Sequence, residues 1–352
     1  MRTEHRQWLR DTGLLGSEEA ARNYALQGAE PLVARMYPQV PYECLLLAAD
    51  AMGLAVFIDD YCSRSAHPER TRALIDAFIT LTHGELTHGK LDEESFSGGP
   101  LRRGWLDVWD RTAHAMSRSW QEQALRSWHD LFRAWAEEAE ARAADNPPRL
   151  DAFFGLRRRG IGVRPFLDIA ESGSGMELPA HVRNHPCVQE LVVLCTDLCI
   201  FVNDAHSLER ELAAGEQNNL VMVLVRAHDW PVPRALDELR RMFDRSCRRL
   251  LRLATEGIAD LSLSLRLSGD EAAQLAQYVD LIQSFVRGNY DWSLESARYQ
   301  ERGYAKTPRA LYLDVLDARW PRPACRSDPS TMGTRADTPR RSSPLWYILW
   351  HP

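Results

Sequence analysis

Eight long stretches of this chain carry apolar residues at a spacing of three to four, and none alternates with the period of two that a half-buried strand needs. They are Ser17–Arg35, Tyr42–Tyr61, Pro68–Thr87, Leu101–Ala143, Arg149–Arg158, Val188–Ala213, Pro233–Glu256 and Gly269–Arg298. Their punctuation is helical. Ser17 stands before Glu18-Glu19, Ser268-Gly269-Asp270-Glu271 has the form of a capping box, and Pro147-Pro148 separates two stretches. No Asn-Gly pair offers a hairpin turn, and no internal repeat is present. The pattern predicts an all-α fold in one domain over residues 1–318. Residues 319–352 turn to Pro, Arg, Ser and Thr, a composition that predicts a disordered tail. The apolar end, Leu345 to Trp350, either docks on the body or has no consequence.

The net charge of −6 and pI near 6.0 give no electrostatic case for a nucleic-acid partner. The longest apolar run, Leu191–Val202, is interrupted by Thr196 and Asp197 and is too short to span a bilayer. No apolar signal segment follows Met1, so no transmembrane or secretory element is expected. Seven cysteines form no CxxC pair, and their odd number favours a reducing cytoplasm. Cys195 and Cys199 share a helix face, which raises metal binding as a reading, but without a His/Cys partner set they read as small buried hydrophobes.

Chemistry concentrates where the apolar run ends. Asn203, Ser207 and Glu211 recur every four residues and so line one helix face. An amide oxygen, a hydroxyl and a carboxylate make an all-oxygen set suited to Mg²⁺, which completes its shell with water and substrate phosphate. Alone, the same stripe equally describes a solvated helix face. A second acidic site, Asp59-Asp60, closes another apolar helix, where paired carboxylates are costly unless partnered or metal-bound. Arg157-Arg158-Arg159, Arg210 and Arg298-Tyr299 could together clamp a polyphosphate with forked donors, although each singly reads as a surface charge.

In combination these pieces resemble a bacterial class I terpene synthase from His5 to about Ala318. Trp8-Leu9, Gly13-Leu14 and Ala34-Arg35-Met36-Tyr37-Pro38 resemble the family's N-terminal segments, and Asp59-Asp60 falls at its aspartate-rich motif. Asn203-Asp204-x-x-Ser207-x-x-x-Glu211 matches its second metal motif at every defining position. Arg157 stands 46 residues before Asn203, at the family's diphosphate-sensing arginine, and Gly160-Ile161-Gly162 resembles the helix break whose backbone carbonyl assists ionisation. Trp292-Ser293, Ser296 and Arg298-Tyr299 resemble the closing motif. One departure stands out: Tyr61, Cys62, Ser63 and Arg64 follow Asp59-Asp60, so the usual third acid is missing.

The resemblance implies a helical bundle around a central active-site cavity, acting by Mg²⁺-dependent ionisation and cyclisation of an allylic isoprenyl diphosphate, with farnesyl diphosphate first. It implies three Mg²⁺ ions, with Mn²⁺ a possible substitute, held by Asp59, Asp60, Asn203, Ser207 and Glu211. Arg157, Arg210, Arg298 and Tyr299 would bind diphosphate, and Gly160 and Ile161 would serve at the helix break. Phe57, Phe153, Phe154, Phe166, Phe201 and Trp292 are the candidates for an aromatic cavity lining. A monomer or homodimer is expected. The alternatives are a monoterpene-type or methylated-substrate cyclase, or a catalytically silent protein of the same fold.

Overall fold

The computed structural model describes residues 1–65, 67–87 and 99–299; the anticipated tail and the side chain of Arg64 lie outside them. The described residues form helices and no strand. In chain order these are α1 (Arg2–Asp11), α2 (Glu18–Ala25), α3 (Ala29–Met36), α4 (Tyr42–Arg64), α5 (Pro68–Thr87), α6 (Gly99–Ala113), α7 (Arg118–Ala143) and α8 (Leu150–Gly160). They continue with α9 (Val163–Gly173), α10 (Ala180–Arg183), α11 (Pro186–Ala214), α12 (Leu220–His228), α13 (Val232–Arg252), α14 (Ile258–Ser264) and α15 (Gly269–Glu295). A π-helical turn at Leu253–Gly257 joins α13 to α14, and a 3₁₀ turn at Ala297–Tyr299 follows α15.

Local chemistry explains where the long periodic stretches break. The first divides at Gly28, whose φ of 67° suits glycine far better than a side-chain-bearing residue. The fourth divides at Ser117, whose hydroxyl accepts from Trp120 N and restarts a helix. Ser17 caps α2, and Ser268 with Glu271 forms the anticipated capping box of α15. Gly99 and Pro100 open α6.

Helix α9 is buried on nearly every side and packs against α4, α6, α7, α11 and α15. Around it, α4 meets α7, α7 meets α8, and α8 meets α11. At the α3–α15 contact, Gly288 lets the backbones touch: a Cβ there would lie 2.2 Å from the Arg35 carbonyl oxygen. Helix α11 extends beyond the apolar run and is, over Pro186–Ala213, long and apolar enough by composition to cross a membrane. Two-thirds of its most apolar window (67%) is buried inside the protein, so core packing accounts for that composition. Its two interruptions are satisfied: Thr196 Oγ1 donates to the Val192 carbonyl, and Asp197 takes a forked pair of bonds from Arg158 at 2.7 and 2.8 Å.

Candidate active site

The polar ends of α4 and α11 are tied together by Arg142 of α7. Its Nη1 donates to the Cys62 carbonyl (3.3 Å), and its Nε to Glu216, just beyond α11 (2.9 Å). Asp59 is half-buried and Asp60 buried at this end of α4. Between α4 and α8 stands Glu138 of α7, which sequence reasoning missed. Enclosure among protein atoms pushes its carboxyl up to about 7; Arg157 and Arg142 pull against the shift, while Asp59 and Glu216 add to it. The fields of Asp59 and Arg157 thus meet at one carboxyl group. Asn218 Nδ2 donates to Glu138 Oε1 at 2.7 Å.

Of the three consecutive arginines, only Arg157 enters this region. Successive helical residues point about 100° apart, and Arg158 and Arg159 turn away to forked ion pairs with Asp197 and Glu137. Arg157 Nη2 donates to Asn203 Oδ1 (2.6 Å) and to Asp204 Oδ1 (2.7 Å). Burial disfavours its charge, but Asp204, Glu138 and Glu211 more than offset that and raise its pKa. Burial pushes the Asp204 carboxyl up to about 6 against the pull of Arg157. Asn203 Nδ2 donates to the Tyr299 hydroxyl at 2.9 Å, and Arg210 lies 5.8 Å over the Tyr299 ring. Trp292 meets the same ring edge-on at 5.5 Å. Tyr299 therefore reaches the stripe of Asn203, Ser207 and Glu211. Arg298 is held instead by Gln27 Oε1, 2.6 Å from its Nη1.

The stripe of Asn203, Ser207 and Glu211 is partly committed to protein partners. Glu211 Oε1 faces Arg210 at 3.4 Å, and Oε2 accepts from Asn219 at 2.9 Å. Among the described residues, the fully buried Ser207 Oγ and the buried Nε of Arg157 have no hydrogen-bond partner. An unspent hydroxyl and an unspent guanidinium N–H beside Asn203 fit a bound cation and an anion. No group of three or more His, Cys, Asp and Glu side chains converges among the described residues, so the available oxygen set is this mixed one. Cys195 and Cys199 are buried free thiols, as small hydrophobes.

The break after α8 separates two carbonyls that the sequence left together. Trp135 Nε1 donates to the Gly160 carbonyl at 3.0 Å, so that oxygen is engaged. The helical donor to the Ile161 carbonyl would come from position 165, which is Pro165 and has no N–H. Gly162 turns the chain between the helices at φ 83°. A Cβ at Gly160 would lie 2.7 Å from Glu138 Oε1, so a side chain there would have to displace that carboxylate.

The aromatic candidates fall into separate groups. Phe153, Phe154 and Phe201 form one edge-to-face series, with centroids 5.3 and 6.3 Å apart, and Arg158 caps Phe154 at 5.1 Å. Phe166 packs near Trp128 (5.9 Å). Phe57 stacks on Tyr24 (5.5 Å), whose hydroxyl bonds His5; His5 in turn bonds Asp50. Phe57 thus touches a buried N-terminal network. His206, also unforeseen, lies 6.0 Å from the Tyr299 ring, and burial lowers its pKa to about 4, leaving it neutral at physiological pH.

The family model for terpene synthase family 2, C-terminal metal binding, matches residues 50–249. Pentalenene synthase of Streptomyces arenae is 32% identical over 315 residues, covering 88% of this chain and 90% of its own. A (−)-β-caryophyllene synthase ((2E,6E)-farnesyl diphosphate cyclizing) of Saccharothrix espanaensis is 31% identical, covering 88% of this chain and 86% of its own. Among solved structures, a linalool/nerolidol synthase from Streptomyces clavuligerus in complex with 2-fluorogeranyl diphosphate superposes with a TM-score of 0.74. It is 27% identical and covers 83% of this chain and 96% of that one.

Proposed function

The chain belongs to terpene synthase family 2, and from that premise we propose that it ionises and cyclises an allylic isoprenyl diphosphate, farnesyl diphosphate first, releasing diphosphate. The observation that carries the reading is the pair of unspent buried groups, Ser207 Oγ and Arg157 Nε, beside an Asn203 already tied to Arg157 and Tyr299. Asp59, Asp60, Asn203, Ser207 and Glu211 would hold Mg²⁺, three ions in all or Mn²⁺ in their place, supplying concentrated positive charge to the leaving diphosphate.

The chain's own groups do the rest. Arg157 presents its Nε–H to a phosphate oxygen while Asp204 holds Nη2 of the same guanidinium. Burial keeps the Tyr299 phenol protonated. Its oxygen accepts from Asn203, which sets the phenol beside the stripe. Arg210 and Arg298 add charge as the C–O bond breaks. The Ile161 carbonyl, deprived of a helical donor by Pro165, turns its dipole to the allylic cation as it forms. Phe153, Phe154, Phe166, Phe201, Phe57 and Trp292 supply candidate ring faces for the migrating charge, and an apolar lining keeps water from quenching it. We place the enzyme in the cytoplasm as a monomer or homodimer; its six described cysteines are all free thiols, as a reducing compartment requires.

The test is incubation with geranyl, farnesyl and geranylgeranyl diphosphates, with Mg²⁺ and with EDTA, followed by volatile analysis. Cyclic sesquiterpene from farnesyl diphosphate, lost in EDTA, is the expected result. Product from geranyl diphosphate alone would make it a monoterpene enzyme, in keeping with the geranyl analogue bound by its structural neighbour. No product and no diphosphate release from any of the three would identify a silent protein of the same fold.

A further inference from the structure

We propose that Asn219 is a positioning residue whose side-chain amide draws the Glu211 carboxylate back along α11 toward Ser207 and Asn203. The inference rests on the metal-binding reading given above. Asn203 and Glu211 are eight residues apart, a rise of about 12 Å along an α-helix. Three side chains so spaced reach one ion only if the last leans strongly toward the helix N-terminus. Helical side chains do lean that way, but a free glutamate samples many rotamers.

Asn219 removes that freedom. It is fully buried. Its Nδ2 lies 2.9 Å from Glu211 Oε2 and 2.8 Å from the Asp204 carbonyl oxygen, two turns earlier on α11. One nitrogen within reach of both fixes the carboxylate over the preceding turns. Glu211 Oε1, whose one hydrogen-bond contact among the described residues is with Arg210 at 3.4 Å, is the oxygen left for ligation. The other end of the amide is occupied too: Asn219 Oδ1 accepts from Val221 N at 2.9 Å and caps α12. The next residue continues the device, since Leu220 N donates to Asp204 Oδ2 (2.7 Å) while Asp204 Oδ1 holds Arg157. The N-terminus of α12 thereby sets both a metal-ligand carboxylate and the acid that orients the diphosphate-facing arginine. Asn suits this place because it is an acceptor at one end and a donor at the other.

A purely structural Asn219 would act only as a helix cap, and two variants separate the roles. Asn219→Ser keeps a capping oxygen but loses the donor to Glu211. Asn219→Asp keeps both cap and shape but sets an oxygen against the carboxylate. Mg²⁺ is titrated by calorimetry in the presence of inorganic diphosphate, and its half-saturating concentration for turnover is measured alongside ligand-free melting temperatures. We expect both variants to melt within a few degrees of wild type, and the Mg²⁺ requirement to rise roughly 10- to 100-fold. The KM for the isoprenyl diphosphate at saturating Mg²⁺ should change little. Unaltered Mg²⁺ affinity in folded Asn219→Ser, or tighter binding in Asn219→Asp, would overturn the proposal. If Asn219→Ser does not fold, the capped Asn219→Asp variant decides by the same titration. Wild-type protein that binds no Mg²⁺ with diphosphate would instead remove the metal-binding reading itself.

Discussion

Asp204→Asn isolates the ion pair that aims Arg157. Asp204 is fully buried, and the Arg157 side chain is 11% exposed. The two carboxylate oxygens serve two donors, Arg157 Nη2 and Leu220 N, each at 2.7 Å. An asparagine has one carbonyl oxygen, so in either amide orientation one of these donors faces an NH₂ group. A buried donor left without an acceptor costs about 1–3 kcal/mol, and replacing a charge-assisted bond with a neutral one costs about 1 kcal/mol more. The sum, about 2–4 kcal/mol, lies just below the usual cost of breaking a buried ion pair outright, about 3–5 kcal/mol. For a body of roughly 300 residues the unfolding entropy is about 0.63 kcal/mol/K, so the melting temperature should fall by roughly 3–6 °C. Arg157 loses its charged partner at the same time, keeping Asn203, and kcat should fall by a factor on the order of 100 with the fold intact. Differential scanning calorimetry and single-turnover diphosphate release measure the two effects. In a double-mutant cycle with Arg157→Met, the paired variant should be more stable than the sum of the singles predicts. A melting temperature within about 1 °C of wild type, or strict additivity in the cycle, would refute the reasoning.

Gly288→Ala should destabilise by about 1–3 kcal/mol, because its Cβ would meet backbone, at 2.2 Å from Arg35 O and 2.5 Å from Met36 N; thermal melting checks this. Burial, then the charge of Glu171, raises the Asp168 carboxyl to about 7. With its folded pKa above the unfolded one, its contribution to stability is full below about pH 4 and lost as pH rises through 7. Between pH 5 and 8 that loss is up to about 3 kcal/mol, so the wild-type melting temperature should drop more over this range than that of Asp168→Asn. Parallel pH profiles would contradict this. Asp59→Asn should reduce turnover much more than Asp60→Asn, since the charge of Asp59 is the one felt at Glu138 beside Arg157. Steady-state kinetics across a Mg²⁺ titration compare the two, and equal losses would mean that both carboxylates ligate.

The helical class, most helix ends and the stripe Asn203, Ser207, Glu211 were legible in the chain, because each depends on neighbours within about four residues. Ser17 and Ser268 cap their helices through hydroxyls that reach three residues ahead. Helices α1, α9 and α12 escaped the periodicity reading: they are short, at 10, 11 and 9 residues, and α1 is mostly polar. A signal for α12 did exist in Asn219, a capping residue before an apolar run.

Partner choice was the work of tertiary structure. Nothing local distinguishes Arg157 from Arg158 and Arg159; their helix phase against α7 and α11 sends one to Asn203 and Asp204 and the others to Asp197 and Glu137. Glu138 looks like any solvated acid of α7 until packing sets it between Asp59 and Arg157. The sequence placed Gly160 and Ile161 at the break, while the indole of Trp135, 25 residues earlier, engages one carbonyl and leaves the other. Helical periodicity is written in neighbouring residues, whereas the direction of a charge depends on elements tens of residues away, and those directions exist only once the helices have packed.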